Sequence, residues 1–282
     1  MDFNKKIVKI GLLLIVISLI LNITTKMNSR LQKIVFLKMY VEKDLSQIYE
    51  QDKFKLYGFR AKYIVQEQNT MIANKIKKIS FKEEPRVKID FRINNVYGKK
   101  TNRYKIKDLD FSIDFSEIHD DFKELELNNM IITLNNGEEF NVNLGSIIVY
   151  NDKNEDLRQG GFFTDYKEYE MGVVANKDLT VTKIGLEKSC EFDKSLETWI
   201  DRNDLNNLNI ELKEDDTFCI NHRLNFNKGI LSKYFIYQRM PVIYYKTKDN
   251  ERKLIRTYQI SHMPLEFSDG DVYKYLKLRG EI

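Results

Sequence analysis

Apolar and polar residues alternate one by one along several stretches of the sequence between positions 87 and 260. In residues 87–93 every second side chain is apolar and those between are charged, and residues 109–115 show the same alternation with Asp110, Ser112 and Asp114 between the apolar residues. Such alternation is typical of a strand with one buried and one solvated face. Further strand candidates are Leu125–Leu134, Glu138–Tyr150, Tyr169–Val174, Leu179–Leu186, Leu208–Leu212, Thr217–Phe226, Tyr234–Tyr245 and Leu254–Ile260. Many short strands without regularly alternating helices predict a mainly β fold of antiparallel sheets.

One turn signal is strong enough to place a hairpin. Asn135-Asn136-Gly137 separates two of the strand candidates. Asn-Gly tolerates the positive φ angles of a type I′ turn, which joins antiparallel strands tightly. The sequence therefore predicts a β-hairpin centred on Gly137.

The number and length of the strand candidates fit a β-sandwich with immunoglobulin-like (Ig-like) architecture. Two sandwiches of roughly 100 residues each are expected, in residues 81–178 and 179–282, and one larger sandwich is the alternative. The Ig-like label describes architecture alone, because the Cys–Trp–Cys pattern of true immunoglobulin domains is missing from the sequence.

Residues 10–25 form an uncharged run, IGLLLIVISLILNITT. As a helix it would span about 24 Å, slightly short of the ~30 Å hydrocarbon core of a bilayer, and Lys9 and Lys26 at its ends can extend that span. A cleaved secretory signal is the alternative, but no small-residue cleavage site follows the run. We therefore expect residues 1–26 to be a short cytoplasmic tail and a transmembrane signal anchor, with the C-terminal part extracytoplasmic.

Residues 27–80 are predicted to form a membrane-proximal helical stalk. From Met27 to Ile48 apolar residues recur at spacings of three and four, which is the period of a heptad. One interpretation is a parallel coiled coil that makes a homo-oligomer, and the other is an amphipathic helix packed on the β domain of its own chain. The predicted self-association seam consists of Leu31, Ile34, Val41, Leu45 and Ile48.

The charge distribution argues against a nucleic-acid partner. The net charge is +4, but seven basic groups and one acid in residues 1–40 give +6 there and leave −2 for the rest of the chain. A nucleic-acid-binding domain carries a basic surface instead. The counts of 34 Lys against 12 Arg, and of 31 Ile against 3 Ala, favour A/T-rich codons and indicate a bacterium of low G+C content.

No catalytic motif is present in the sequence, so we expect no enzymatic activity and no cofactor. His119, Asp120 and Asp121 place an imidazole beside two carboxylates, which is the one weak candidate for a metal site. A polar loop between two strands is the preferred interpretation of these three residues, so no metal is expected.

Tryptophan and cysteine are two further residue types that can contact a ligand or cross-link the chain. Trp199, the single tryptophan, lies in a polar stretch that is read as a short helix or a surface loop, and it is a weak candidate for a ligand contact. Cys190 and Cys219 can either form a disulfide or remain two thiols, and the second alternative is slightly favoured.

These observations favour a single-pass, membrane-anchored, non-catalytic binding or scaffolding protein of the bacterial cell envelope. The β domain would contact another envelope protein, a wall polymer or a ligand. The alternative is an accessory subunit of a membrane transporter or secretion complex, which would make its contacts through the anchor and the stalk. An envelope hydrolase with its carboxylates near His119 is a third hypothesis.

Overall fold

The structure is a computed structural model that consists mainly of β-strands. It describes residues 9–21, 31, 33–45, 56–66, 76–94, 104–118, 121–151, 155–165, 168–190, 193–200, 205, 208–225, 234–264 and 267–282. The prediction of a mainly β fold with antiparallel sheets is confirmed.

The described residues contain eighteen strands and two α-helices. The strands are β1 (Val35–Phe36), β2 (Met39–Asp44), β3 (Leu56–Gln66), β4 (Ile76–Phe81), β5 (Lys88–Asn94), β6 (Tyr104–Asp114), β7 (Glu124–Leu134), β8 (Glu139–Tyr150), β9 (Leu157–Asp165), β10 (Glu168–Ala175), β11 (Leu179–Gly185), β12 (Leu196–Trp199), β13 (Ile210–Leu212), β14 (Thr217–Leu224), β15 (Ile236–Arg239), β16 (Val242–Thr247), β17 (Arg252–Arg256) and β18 (Ile260–His262). Helix α1 covers residues 9–21 and helix α2 covers Asp269–Leu278.

The strands form four sheets. Sheet 1 has the order β1-β3-β6-β5, sheet 2 the order β18-β15-β2-β8-β7-β4, sheet 3 the order β12-β14-β10-β9 and sheet 4 the order β13-β11-β16-β17. Sheets 1 and 2 enclose one hydrophobic core, to which both contribute aromatic and aliphatic side chains such as Phe59 and Phe111 of sheet 1 and Leu127 and Ile147 of sheet 2. Sheets 3 and 4 enclose a second core around Val173, Ile220, Val181 and Ile243.

Sheet 3 also joins the two halves of the molecule. One end of its inner face packs on sheet 4, and the other end packs on the face of sheet 2 that points away from sheet 1. This third cluster contains Tyr169, Met171 and Leu224 of sheet 3 together with Ile148 and Tyr237 of sheet 2. The two pairs of sheets are therefore connected through apolar contacts.

The predicted helical stalk is wrong, because the described residues of this segment form strands at 35–36, 39–44 and 56–66. Strand β2 runs parallel to both of its neighbours, β8 and β15, and lies in the interior of sheet 2. A parallel strand covered on both faces has apolar residues on both sides and loses the alternation that marks a half-buried strand. Opposite Met39, Gly145 has a φ of +108°, and a Cβ atom there would lie 2.1 Å from the Met39 carbonyl oxygen, so this pairing requires glycine.

The predicted domain boundary at 178/179 is also wrong. Ala175 and Leu179 lie on either side of it and belong to the same core. The chain instead passes from the first core to the second between Tyr150, at the end of β8, and Leu157, at the start of β9. It later returns to sheet 2 with β15 and β18, so neither half is one continuous segment.

The hairpin between β7 and β8 is present, with a different turn from the one expected. The amide of Leu134 donates to the Glu138 carbonyl at 2.9 Å, and the amide of Gly137 donates to the Leu134 carbonyl at 3.0 Å. Within the turn only Gly137 has a positive φ, +86°. The connection is thus a three-residue loop with glycine in the left-handed position rather than a type I′ turn.

The two helices have opposite surroundings. Helix α2 begins with a capping box between Ser268 and Asp271 and packs Val272, Tyr275 and Leu276 against the outer side of sheet 1. Helix α1 leaves ten large apolar side chains between 42% and 61% exposed. No helix within the described residues is both long enough and apolar enough to cross a membrane.

Candidate functional site

The outward-facing side of sheet 3 carries the predicted contact residue Trp199. Strand pairing places Trp199 of β12, Asn221 of β14 and Glu170 of β10 in one cross-strand row. The next row on the same side contains Glu197, Arg223 and Glu168. We call these six residues the outer face of sheet 3. Trp199 ends a strand, so the expectation of a helix or loop at this position is wrong.

An arginine links the aromatic ring and a carboxylate on this face. The Arg223 guanidinium carbon lies 5.5 Å from the centroid of the Trp199 ring, which is within the range of a cation–π contact. Nε of Arg223 donates to Oε1 of Glu168 at 2.9 Å. Both charged side chains remain about half exposed, at 47% and 54%. The tryptophan, arginine and glutamate therefore form an ordered group that solvent and a partner can reach.

The chemistry of the outer face fits recognition. Three glutamates and one arginine give it a negative balance, and the carboxylates offer hydrogen-bond acceptors around a planar indole. Trp and Arg are enriched among the residues that contribute most to binding at interfaces. A strand-borne surface also holds such groups more rigidly than a loop does.

A second charged group is buried where sheets 2, 3 and 4 meet. Nη1 of Arg239 donates to Oε1 of Glu42 at 2.6 Å, and both side chains are almost fully buried. The Met240 amide donates to the other carboxylate oxygen at 2.7 Å. The hydroxyls of Tyr40 and Tyr150 donate to Oε1 of Glu42 at 3.1 Å and 3.3 Å. We call Glu42, Arg239, Tyr40 and Tyr150 the junction cluster.

The junction cluster also reaches the 3₁₀ turn Asp193–Ser195. Nη2 of Arg239 lies 3.5 Å from Oδ2 of Asp193, and the hydroxyl of Tyr237 donates to Oδ1 of Asp193 at 3.3 Å. Burial raises the pKa of the Glu42 carboxyl, and Arg239 with the Met240 amide acts in the opposite direction. Because the carboxylate is surrounded by donors and closed to solvent, this cluster is suited to holding the halves together and not to binding a ligand.

The inner face of sheet 3 carries a buried histidine, His222. Its Nδ1 atom is 2.8 Å from the Thr198 hydroxyl oxygen, and its Nε2 atom has no hydrogen-bond partner among the described residues. Burial lowers the pKa of His222 from 6.5 to about 3, so the ring is neutral at physiological pH.

The predicted metal candidates are only partly described. His119 and Asp120 lie outside the described residues. Asp121 is exposed, and its Oδ2 atom accepts from Nη1 of Arg86 at 2.7 Å. In the part of the chain that the structure covers, no group of three or more His, Cys, Asp and Glu residues could hold a metal ion.

Three of the five residues of the predicted self-association seam are buried. Leu31, Val41 and Leu45 are buried in the chain's own cores, Ile34 packs against the core between sheets 1 and 2, and Ile48 lies outside the described residues. The seam is therefore wrong, because a side chain in the core is not available to a second chain.

The two cysteines do not form a disulfide. The amide of Cys190 donates to Oδ2 of Asp193 at 2.7 Å, next to the junction cluster. Cys219 is exposed and lies on the solvent side of β14. The two thiols thus occupy different environments on opposite sides of sheet 3.

Sequence reasoning found Trp199 but missed every member of the junction cluster. Glu42 and Arg239 are 197 positions apart, and neither stands in a recognisable motif. One signal was present, because each interrupts a strongly apolar stretch in which a charge is costly without a partner. The identity of the partner depends on the strand topology alone.

Comparison with known proteins gives little guidance. The sequence matches no protein-family model and no curated protein. Among solved structures, the chain is similar to the crystal structure of a collagen adhesin from S. aureus. The two share 12% sequence identity over 82% of this chain and 92% of the adhesin, with a TM-score of 0.23, which is too low to support an argument about function.

Proposed function

We propose that this chain is a single-pass, membrane-anchored, extracytoplasmic binding or scaffolding protein without catalytic activity. Its folded part would be Ig-like β-sandwiches, and its contact surface would be the outer face of sheet 3. The proposed partner is another protein of the bacterial cell envelope. Helix α1 is the observation that carries the anchoring part of this proposal.

Helix α1 exposes apolar side chains in all directions. A helix that packs on a protein core buries one apolar stripe and shows polar residues elsewhere. In α1 the side chains from Leu12 to Ile17 are all large, apolar and at least 42% exposed. Exposed apolar area of this extent favours a lipid environment, and the flanking Lys9 and Lys26 suit the headgroup regions.

The outer face of sheet 3 supports the proposal that the chain binds a partner protein. It combines an ordered Trp–Arg pair with carboxylates on a surface that the described residues leave uncovered. The alternative of an accessory subunit that makes contacts through an apolar stalk is less well supported, because the apolar residues of that segment pack inside the β cores.

Membrane fractionation tests the anchoring proposal. We expect the full chain to stay in the membrane pellet after an alkaline carbonate wash. The double variant Leu14→Lys/Ile17→Lys should move to the supernatant, since each lysine near the middle of a membrane helix costs about 3 kcal/mol. The control Leu14→Ile/Ile17→Leu keeps the apolar surface and should remain in the pellet. Release of the unmodified chain by carbonate would contradict the anchor.

A protease-protection experiment tests the proposed orientation of the chain in the membrane. Protease added to intact protoplasts should degrade the chain beyond about residue 26 if the β part is extracytoplasmic. Full protection of the β part, with degradation only after lysis, would reverse the proposed orientation.

A further inference from the structure

We propose that the free edge of strand β9 pairs antiparallel with β9 of a second copy of this chain. Strand β9 is the last strand of sheet 3, and among the described residues it pairs only with β10. An unpaired strand edge offers a row of backbone donors and acceptors to another strand. This inference concerns self-association and goes beyond the proposed contact surface.

The other sheet edges are protected by charge or by shortness, and β9 by neither, although its pairing with β10 contains a bulge at Gly160 and Gly161. Strand β5 carries alternating charges, β4 has two adjacent lysines, and β17 carries three basic residues. The edge strands β1, β12, β13 and β18 have at most four residues. Charge and shortness are common means of preventing edge-to-edge pairing. Strand β9 has nine residues, and those from Gln159 to Thr164 are uncharged.

Exposed aromatic side chains mark the same strand. Outside helix α1, four large apolar side chains of the described residues are exposed, namely Phe162, Phe163, Tyr273 and Leu278. Phe162 and Phe163 are 41% and 65% exposed. As neighbours in a strand they point to opposite faces, so both sides of this edge present an aromatic ring.

A second copy of β9 is the occupant that fits best, because the strand is complementary to itself when reversed. Arg158 lies near one end and Asp165 at the other, so an antiparallel copy brings opposite charges together at both ends. If a two-fold axis perpendicular to the sheet relates the two β9 strands, one residue of β9 must lie directly opposite the same residue of the other copy. With Phe162 in that position, the two Phe162 rings meet at the axis.

The same register uses the open space above a glycine. It places Phe163 of one copy opposite Gly161 of the other, and a Cβ atom at Gly161 would meet nothing within 4 Å. An aromatic ring across from a strand glycine covers backbone that would otherwise be exposed.

The pairing has a consequence for the binding surface. It joins the two copies of sheet 3 into one eight-stranded sheet, with both outer faces on the same side. The two Trp199 side chains would then stand at opposite ends of a continuous surface, which suits a long or repetitive partner.

Measurement of the oligomeric state tests this inference on the full chain in detergent micelles. We expect a dimer by analytical ultracentrifugation. Phe163→Lys should raise the dimer dissociation constant by at least about tenfold, since it brings two ammonium groups near the axis and removes the rings over Gly161. The matched control Leu278→Lys changes a residue of similar exposure on α2 and should leave the dimer intact. A monomeric wild type, or a dimer insensitive to Phe163→Lys, would overturn the proposal.

A cysteine cross-link tests the register. In a Cys219→Ser background, Phe162→Cys places two thiols across the axis, where the Cα atoms of facing residues are about 4.5–5.5 Å apart and a disulfide can form. Thr164→Cys is the control, because its two copies would be offset by four residues, or about 13 Å. Rapid oxidation to a dimer is expected for Phe162→Cys alone. Equal cross-linking of both variants would exclude this register.

Discussion

The molecule contains two groups built from the same three kinds of side chain in opposite surroundings. In the junction cluster, Arg239 pairs with Glu42, and its guanidinium carbon lies 4.7 Å from the centroid of the Tyr40 ring. On the outer face of sheet 3, Arg223 pairs with Glu168 and lies over the ring of Trp199. The first group is closed to solvent, and the second is about half exposed.

This difference shows that environment determines what such a group contributes. A buried charge without its partner is strongly unfavourable, so the junction cluster tolerates little change. An exposed pair is screened by water and adds little to stability, which leaves its side chains available to rearrange around a partner.

Removal of the buried carboxylate should be the most damaging change. Glu42→Ala removes the buried carboxylate that pairs with the Arg239 guanidinium, leaves it only the more distant Asp193 at 3.5 Å, and should lower the free energy of unfolding by about 3–5 kcal/mol. Chemical denaturation measures this loss. The double variant Glu42→Leu/Arg239→Met removes both charges and should recover most of it. A loss below about 1 kcal/mol in Glu42→Ala would show that the junction cluster does not hold the two halves of the molecule together.

The buried imidazole of His222 should produce a pH-dependent loss of stability that is smaller than the loss in Glu42→Ala. In the unfolded chain His222 has a pKa near 6.5, whereas burial lowers its pKa to about 3 in the fold. Between these values the unfolded state binds the proton, so stability decreases as the pH falls below 6.5. From pH 7 to pH 4.5 this histidine should cost on the order of 2 kcal/mol.

The variant His222→Phe isolates that contribution. Unfolding curves at pH 7 and pH 4.5 should show a smaller acid-induced loss for the variant than for the wild type. The comparison uses the slope with pH and not the absolute stability, which also changes with packing and with the Thr198 hydroxyl. Parallel pH profiles for the two proteins would mean that His222 is not buried as a neutral ring.

Loss of the exposed ion pair between Arg223 and Glu168 should change the free energy of unfolding least. Glu168→Ala removes the partner of Arg223 on the outer face of sheet 3 and should change the free energy of unfolding by at most about 1 kcal/mol. Added salt should reduce even this difference, because exposed ion pairs are screened. A loss comparable to that of Glu42→Ala would remove the contrast between the two groups.

Half-buried antiparallel strands were the part of the fold that could be predicted from the sequence. Strands β5 and β6 follow the alternation seen in residues 87–93 and 109–115, since each has one face in the core and one in water. The hairpin at Gly137 was also predicted, because its turn needs a positive φ. Both signals are local, so they do not depend on the rest of the chain.

Strand β2 shows why other parts could not be predicted. Both of its faces are covered, and its burial is nearly continuous from Met39 to Leu45. Apolar residues on both faces produce spacings that also fit a helix. The partners β8 and β15 lie far along the chain, so no local pattern could show that this segment belongs in a sheet.

The candidate site, like the fold, could be predicted from the sequence only in part. Trp199 could be selected because it is the single tryptophan. Its neighbours Arg223 and Glu168 could not be selected, because their proximity comes from the registers of β12, β14 and β10. Charged side chains come together on this face because separate strands pair in a particular register. That register is set by packing over the whole sheet and not by a local sequence pattern.

The position of β2 in sheet 2 also governs how the protein can be made. During synthesis β2 emerges early, but its neighbour β15 is supplied by residues 236–239, close to the end of the chain. Until then one edge of β2 stays open, and long-range pairing of this kind slows folding and exposes strand edges to aggregation.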